Sequence, residues 1–513
     1  MEESVLATTV DRRDEPTGAL ARYFRFAERN TDLRREVVGG ITTFFVMAYI
    51  IFVNPFILTL NGGAKPPVVP PFPALVTATC LAAGIVTIAM GLYSNYPFAL
   101  ASGLGLNAVV AFDLIATRGL AWQAAMGVIF MEGVVITALV LTGFRQAVFD
   151  AVPLTLKRAI SVGIGLFILF IGLVDAGIVR VPVESITITG NATIAGPTPL
   201  GALAAKGVQI GTPGTPVTLG NLTSLPVALA VVGLLLMLWL MSRGVRAALL
   251  FGILLTTVLA IVIKLIAPGL TVSSSATAAD LRKLQFQPLD FSTIGSGLNF
   301  TVFNSPTAAA KGLGVVTAIL VIFSLMLSDF FDTMGTIVGV GEEAGFVDEQ
   351  GRLPGAQRIL LIDSLAAAVG GFFGVSSVTT FVESAAGVAE GARTGLASVV
   401  TGILFLLALV LAPFAGLVPP EATAPALIIV GFLMFAAARE IDFTDIMEGF
   451  PAVMTLVMMP LTYSITNGIG AGFITYVFLR LVGGRAREVH PLLWAIALAF
   501  VVYFLIPLLG LHL

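Results

Sequence analysis

Long uncharged apolar stretches set the terms on which this chain can fold. No Asp, Glu, Lys or Arg occurs from Pro66 to Phe112, from Gly207 to Ser242, from Thr394 to Pro420, or after Glu488. Apolar runs of about 18 residues or more are long enough for a helix to cross a bilayer. Charged residues make up 11% of the 513 and the mean hydropathy is +1.00, whereas soluble domains carry about a quarter charged residues. So few charges cannot cover a water-facing surface, and lipid must face most of the exterior. This excludes a soluble enzyme, a nucleic-acid binder and a disordered scaffold. Cys80 is the only cysteine, so there is no disulfide framework. The net charge of −3 says little about partners. Met1 to Arg35 is polar and rich in Arg, and the first apolar run follows it, which is not the pattern of a secretory signal. An outer-membrane barrel would show short alternating strands instead of these runs.

Apolar segments lie near 37–59, 74–93, 101–116, 121–143, 158–174, 225–242 and 246–267. A second set lies near 312–340, 358–374, 382–392, 394–417, 424–438, 451–466 and 468–482, with a further segment at 491–511. The expectation is an all-α polytopic membrane protein of about 14 spans. The short pair 451–466 and 468–482, broken at Asn467-Gly468, fits a V-shaped hairpin of partial depth. The outer segments, Asp175 to Pro226 (rich in Gly, Thr and Pro) and Ala267 to Lys311, read as caps on the outer surface. The sequons at Asn191 and Asn221 read as chance matches in Thr- and Gly-rich sequence.

Positive charge sets orientation. With the N-terminus inside, 19 Lys and Arg fall on the cytoplasmic side. They are seven in the tail together with Arg145, Lys157, Arg158, Arg243, Arg246, Arg352, Arg358, Arg393, Arg439, Arg480, Arg485 and Arg487. Eight fall outside: Lys65, Arg118, Arg180, Lys206, Lys264, Arg282, Lys283 and Lys311. The split favours a cytoplasmic N-terminus.

The two halves share a faint symmetry. Each has a Gly-rich break before an unusually short helix, YPFALASGLGLNA (96 to 108) and VTTFVESAAGVAEGA (378 to 392), which align at an offset of 282. Seven spans per half would invert the second half. Paired short, interrupted segments point to a substrate site at the midplane.

A carboxylate deep in a bilayer costs about 2.5–3.5 kcal/mol on insertion scales, so its presence calls for a reason. Asp329 and Asp332, three apart in SLMLSDFFDTMGTIVGV, share a helix face. They read as a substrate or proton site, or as a pair satisfied by neighbouring hydroxyls. Glu383 stands between the extended VTTF and the short helix, where free backbone N–H groups and a polar crevice are expected. It reads as a site carboxylate, or as a cap on the helix dipole. Asn107, in the matching short helix, offers both donor and acceptor, or is packing glue. Glu132, mid-span in MGVIFMEGVVITAL, is left open between a proton relay and a hydroxyl-paired group. Asp363, Glu390 and Asp113 are expected near interfaces, and EEAGFVDEQGRLPG (342 to 355) as a solvated cytoplasmic loop. There is no GxxxxGK[ST] and no HExxH, the only histidines are His490 and His512, and no span is Arg-rich. The chain therefore reads as neither an ATPase nor a zinc enzyme nor a voltage sensor, and is driven by an ion gradient or by diffusion.

From about Arg22 onward the sequence resembles the nucleobase/ascorbate transporters, a nucleobase–cation symporter family, and within them the AzgA-like purine permeases. The signatures are TTFFVMAYIIFVNP (42 to 55), GLGLNA (103 to 108), LSDFFDTMGT (327 to 336), TTFVESAAGVAEGARTGL (379 to 396) and EGFPAVMTLVMMPLTYSI (448 to 465). The resemblance implies the uracil-transporter fold, with two inverted seven-span repeats, core and gate domains, and short strands before the half-helices of spans 3 and 10. The corresponding division is a cytoplasmic tail (1–36), a first repeat (37–267, core spans 1–4 and gate spans 5–7, with outer loop 175–225), an outer loop (268–311) and a second repeat (312–513, core spans 8–11 and gate spans 12–14). By motif, substrate carboxylates fall on Asp329 and Glu383, the side-chain amide on Asn107, and a transport-linked carboxylate on Asp332. Phe45 and Phe381 are candidate stacking rings, with Thr380 beside them as a further substrate contact. The eighth-span histidine of uracil-type carriers is missing here, which excludes a histidine relay.

These residues suit a flat, neutral purine, because a carboxylate can accept paired N–H donors and an amide can read a second edge. The expected activity is import of adenine and/or guanine/hypoxanthine across the inner membrane by proton symport, with elevator-like alternating access. Asp329, Asp332 and Glu383 are the candidates for the coupling proton. The expected partners are the nucleobase, the lipid bilayer and a second copy through the gate, with no nucleic acid, metal or cofactor. The alternatives are a xanthine/uracil carrier, an anion carrier of the sulfate or bicarbonate type, and a channel or membrane enzyme. Three carboxylates with no core Lys or Arg weigh against an anion, and no nucleophile–base pair is visible.

Overall fold

Inside a bilayer no water reaches backbone N–H and C=O groups, so apolar segments must close their hydrogen bonds within helices. The computed structural model describes residues 18–60, 64, 66–142, 151–180, 185–188, 208–211, 217–267, 289–304, 313–346 and 353–505. Residues 1–17 of the tail, Asn191, most of 268–311, most of the loop after 346 and the end of the last apolar segment lie outside the described residues, with several of the cationic positions counted above.

The first half contains α1 (Ala19–Tyr23), α2 (Leu33–Met47), α3 (Ile50–Leu58), α4 (Phe72–Ser94), strand β1 (Leu100–Ser102), the short α5 (Leu104–Ala108) continued by a π-helical stretch (Val109–Thr117), α6 (Trp122–Thr142), α7 (Leu154–Asp175), α8 (Leu225–Ser242) and α9 (Ala248–Ile266). The second half contains α10 (Val315–Glu343), α11 (Ala356–Phe373), strand β6 (Val378–Thr380), the short α12 (Ser384–Ala389), α13 (Gly395–Leu407), α14 (Pro420–Phe435), α15 (Ile446–Thr462), α16 (Ile465–Val482) and α17 (Pro491–Leu505). Among the described residues, ten helical stretches are long and apolar enough to cross a membrane. Four shorter apolar helices begin at Leu104, Gly395, Ile446 and Pro491.

Three departures from the sequence reading are local. The segment 37–59 is two helices that break at Ala48-Tyr49, where the Ile51 and Phe52 N–H groups bond three residues back, to Ala48 O and Tyr49 O. The hairpin turns at Tyr463-Ser464 rather than at Asn467-Gly468. Tyr463 takes a left-handed φ of 50°, and the Ser464 hydroxyl accepts the Asn467 N–H at 3.4 Å. The long segment after α7 holds strands: β2 (Val179–Arg180) pairs with β5 (Thr218–Leu219), and β3 (Ser185–Ile188) pairs with β4 (Val208–Gly211).

The helices pack in two groups. In one, α4 lies against α13 and α11, α2 against α13 and α12, and α6 against α11 and α10. In the other, α7 lies against α14 and α15, α8 against α9 and α14, and α15 and α16 form the hairpin. Small residues allow the closest approaches, as expected where lipid gives helices no hydrophobic reason to associate. A Cβ on Gly395 would collide with the Gly91 backbone between α4 and α13, and one on Gly431 with Gly165 between α7 and α14. Helices α8 and α9 are peripheral: 28% and 39% of their apolar windows are buried, against 72% for α4. Trp239, Leu254 and Val258 face outward from them.

The halves meet where β1 and β6 pair antiparallel, Leu100 opposite Thr380 and Ser102 opposite Val378. The pairing continues through Gly103 N–H to Ser377 O and Phe381 N–H to Ala99 O, each 2.9 Å. Three-residue strands cannot hold themselves, and side chains complete them. Thr87 exchanges 2.9 Å bonds with the backbone of Leu100, and the Ser384 hydroxyl accepts the Ala99 N–H at 3.0 Å. The short helices that follow start at Gly103 and Glu383, so the repeat offset is slightly smaller than 282.

Candidate functional site

A cavity of about 510 Å³ lies between the two helix groups, within the range of small-molecule sites. One wall is made by Tyr49, the Gly103–Gly105 turn after β1, Asp332 and Thr336 of α10, and Thr379 to Glu383. The facing wall is Ser161 of α7 with Val430, Leu433 and Met434 of α14, and the lining continues to Ala437 beyond α14. Also between the two groups, the Tyr463 ring at the hairpin turn packs edge-on against Phe112 of the π-helical stretch and against Phe167 and Phe170 of α7.

Glu383 stands where β6 turns into α12. It occupies the N-cap position but makes no side-chain cap bond, which removes the capping explanation. Its Oε1 instead accepts the Tyr49 hydroxyl at 2.7 Å. Tyr49 is fully buried at the α2–α3 break. Asp332 also lines the cavity and interacts electrostatically with Glu383 and Asp363.

Asn107 and Asp329 sit one layer behind the lining. Asn107 is fully buried on α5, its Oδ1 accepting the Ser102 hydroxyl at 2.7 Å, and its Nδ2 has no partner among the described residues. Asp329 is buried on α10 and accepts the Ser377 hydroxyl at 3.5 Å. Thr380 and Phe381 line the cavity. Phe45 does not. It is 45% exposed, because the buried face of α2 runs through Glu36, Gly39, Gly40, Thr43 and Met47 and turns Phe45 away. The aromatic that reaches the site is Tyr49, four residues on, within the TTFFVMAYIIFVNP signature.

The structure corrects two further readings. Asp363, expected near an interface, is 1% exposed and braces the site strand. Its Oδ1 accepts the Thr380 N–H at 3.0 Å and its Oδ2 the Thr333 hydroxyl at 2.8 Å. Thr333 and Thr379 share a 2.7 Å bond. Asp113 is 2% exposed and ion-paired with Arg118 at 2.8 Å, and Ser464 donates to it at 3.0 Å. Arg118 also donates to the Tyr503 hydroxyl at 2.8 Å, so this network ties the π-helical stretch to α17 and the hairpin. Glu390 is partly exposed and paired with Arg246. Among the described residues no group of three or more His, Cys, Asp or Glu is placed to hold a metal ion.

A family model described as a permease family, Xan_ur_permease, matches residues 34–206 and 198–471, which include both short helices and the cavity between the groups. The chain belongs to this permease family. It is the family of nucleobase/ascorbate transporters that the signatures resemble. The permease is 39% identical over 492 residues to the guanine/hypoxanthine permease PbuG of Bacillus subtilis (strain 168), covering 94% of this chain and 99% of that protein. It is 37% identical over 484 residues to the adenine permease AdeP of Escherichia coli (strain K12), covering 94% and 95%. Among solved structures, the transmembrane domain of the cyanobacterial bicarbonate transporter BicA superposes with a TM-score of 0.55 at 16% identity, covering 85% of this chain and 97% of that one. Murine Slc26a9, an anion transporter in the inward-facing state, gives 0.56 at 11% identity, covering 93% and 74%. At these identities the likeness concerns the fold. The permease is a multi-pass membrane protein of this inverted-repeat class.

Proposed function

We propose that this permease imports purine nucleobases, adenine and/or guanine/hypoxanthine, by proton symport across the cytoplasmic membrane. The observation that carries the reading is Glu383, a carboxylate at the mouth of a half-helix, turned into the cavity and oriented by the buried Tyr49 hydroxyl. A carboxylate so placed accepts N–H groups from the edge of a purine. Thr380 and Phe381 lie beside it, Phe381 as a ring for stacking, and Asn107 and Asp329 supply polar groups close behind. The names of the relatives support purines over xanthine or uracil.

The same reading explains the gap between two helix groups. A core carrying the ligand (α2–α6, α10–α13) shifts against a gate (α7–α9, α14–α17) in an elevator-like cycle. The gate also serves as the contact between two copies. Asp332, Asp329 and Glu383 are the carboxylates closest to the ligand and the first candidates for the coupling proton. Protonating one removes a buried charge before the core moves. The N-terminus lies in the cytoplasm, and the cavity extends toward the end bearing Arg158 and Arg439. No cofactor is required.

An anion carrier is favoured only by the fold of BicA and Slc26a9. The described cavity lining contains Asp332 and Glu383 and no Lys or Arg, the wrong charge for an anion. Uptake of labelled adenine, guanine, hypoxanthine, xanthine and uracil into cells lacking their own carriers, with and without an uncoupler, tests the proposal. Uptake of a purine that collapses with the proton gradient is expected. No purine uptake overturns the substrate, and purine uptake indifferent to the uncoupler overturns the coupling.

A further inference from the structure

Asp113 and Arg118 lie five residues apart, at the end of the π-helical stretch that continues α5. On an α-helix of about 3.6 residues per turn, positions five apart point in different directions, whereas i→i+5 bonding brings them together. The Arg118 N–H accordingly reaches the Asp113 carbonyl at 2.9 Å. The side chains form a forked ion pair, Nε to Oδ1 at 2.8 Å and Nη2 to Oδ2 at 3.3 Å. Neither residue lines the cavity. Both reach the other helix group instead. The Ser464 hydroxyl, just before α16, donates to Asp113 Oδ2 at 3.0 Å, and Arg118 Nη2 donates to the Tyr503 hydroxyl of α17 at 2.8 Å. Rings meet beside these bonds, since Phe112 precedes Asp113 and Tyr463 precedes Ser464.

Helix α7 gives the depth of this contact relative to the cavity. The cavity touches Ser161, close to the end of α7 where Arg158 pairs with Glu440. Tyr463 packs against Phe167 and Phe170, which lie further along the same helix, about 9 to 14 Å farther from that end. The two groups are thus parted by a ligand-sized space at one depth and joined by buried polar bonds at another. The distribution of charge shows how such a joint can open. Both charges belong to the core, on one short segment. When core and gate separate there, Asp113 and Arg118 keep each other, and only two bonds to neutral hydroxyls break. Had the carboxylate and the guanidinium been divided between core and gate, separation would strand two charges, the costly way to break a buried pair.

We propose that Asp113, Arg118, Ser464 and Tyr503 form an interlock between core and gate. It closes the permease on the side away from Arg158 while the cavity is reached from the Arg158 side, and each transport cycle breaks and remakes its two gate bonds. This rests on the core-and-gate movement proposed above and names the contact that sets the balance between its two states. The ion pair travels with the core as a neutral unit, while Ser464 and Tyr503 stay with the gate. None of the four touches the ligand. They set how much of the protein presents the site to either side of the membrane.

Tyr503→Phe and Ser464→Ala each delete one gate bond and leave the ion pair whole. Cys80 is the only cysteine and is buried. Val382 is an exposed residue of the cavity wall, on the core. Val382→Cys in a Cys80→Ala background therefore supplies one reporter thiol that moves with the core. A membrane-impermeant maleimide is added to either side of sealed vesicles. With the interlock whole, labelling from the Arg158 side is expected to dominate. In Tyr503→Phe or Ser464→Ala the ratio of far-side to near-side labelling should rise about tenfold, as for the loss of one hydrogen bond to a charged group. Ser464→Thr, which keeps the hydroxyl, should leave the ratio as it was. The two variants lie on different helices, so either one decides if the other does not reach the membrane. Labelling from both sides with an unchanged ratio overturns the interlock, because residues that only hold the fold would lower abundance without moving the ratio. Labelling from one side alone in every form, even with purine and a proton gradient present, overturns the core movement and the interlock with it. Absence of purine uptake by the unaltered protein overturns the purine reading instead, and labelling without purine still decides the interlock.

Discussion

Tyr49→Phe is the most direct probe of the cavity, because it removes one oxygen from a residue whose ring is fully buried. The ring stays packed, and only the 2.7 Å bond to Glu383 Oε1 is lost. A hydrogen bond to a charged group contributes about 1.5–3 kcal/mol net. Without it the carboxylate must be ordered by the incoming ligand, and preorganisation lost from a site appears as lost affinity. Taking the lower end, since the freed carboxylate can still be solvated through the cavity, about 1.4 kcal/mol corresponds to roughly tenfold weaker binding. Equilibrium binding of labelled adenine and guanine to purified protein measures this, with protein abundance in the membrane as the control on folding. A dissociation constant that is unchanged or lower in Tyr49→Phe, at normal abundance, refutes the idea that Tyr49 orders Glu383 for the ligand.

Glu383→Ala and Asp329→Ala are both expected to lose measurable purine binding while still reaching the membrane, and unchanged affinity in both would remove the site assignment. Glu36→Ala should lower thermal stability in detergent by about 3 kcal/mol. The fully buried Glu36 carboxylate accepts the N–H groups of Arg393 (2.8 Å), Thr394 (3.2 Å) and Ala397 (3.3 Å) at the start of α13, and an unchanged melting temperature contradicts that role. Gly431→Val should reduce the yield of folded protein, because overpacking costs about 1–3 kcal/mol even where neighbours can give, and here the contact is the backbone at Gly165. Normal yield and stability would show that α7 and α14 can separate.

The amino-acid sequence by itself determined that this chain lives in lipid and roughly where it crosses. Hydropathy and charge act locally, and a run such as Leu225–Ser242 has one low-energy state in a membrane, a helix. It also drew attention to Glu383, Asp329, Asp332 and Asn107, because a polar group among apolar residues stands out wherever it lies. Local pattern misjudged partners. Asp363 was read as interfacial from its place near a span end, yet the fold brings it to the Thr380 N–H, and nothing within α11 announces that bond. Phe45 was read as a stacking ring, but the buried face of α2 turns it outward, and the ring of that signature which reaches the cavity is Tyr49. The hydrogen bond from Tyr49 to Glu383 spans 334 positions of sequence. Those residues meet because α2 packs against α12 and α13 and because β6, paired with β1, fixes where α12 begins, and three-residue strands depend on distant Thr and Ser side chains for their support. Glu132 shows the division most sharply. Its place mid-span was legible as a carboxylate in an apolar run, but the close approach of α6 to α11 beside it was decided by Gly133 and Gly371, which let the two helices touch backbone to backbone.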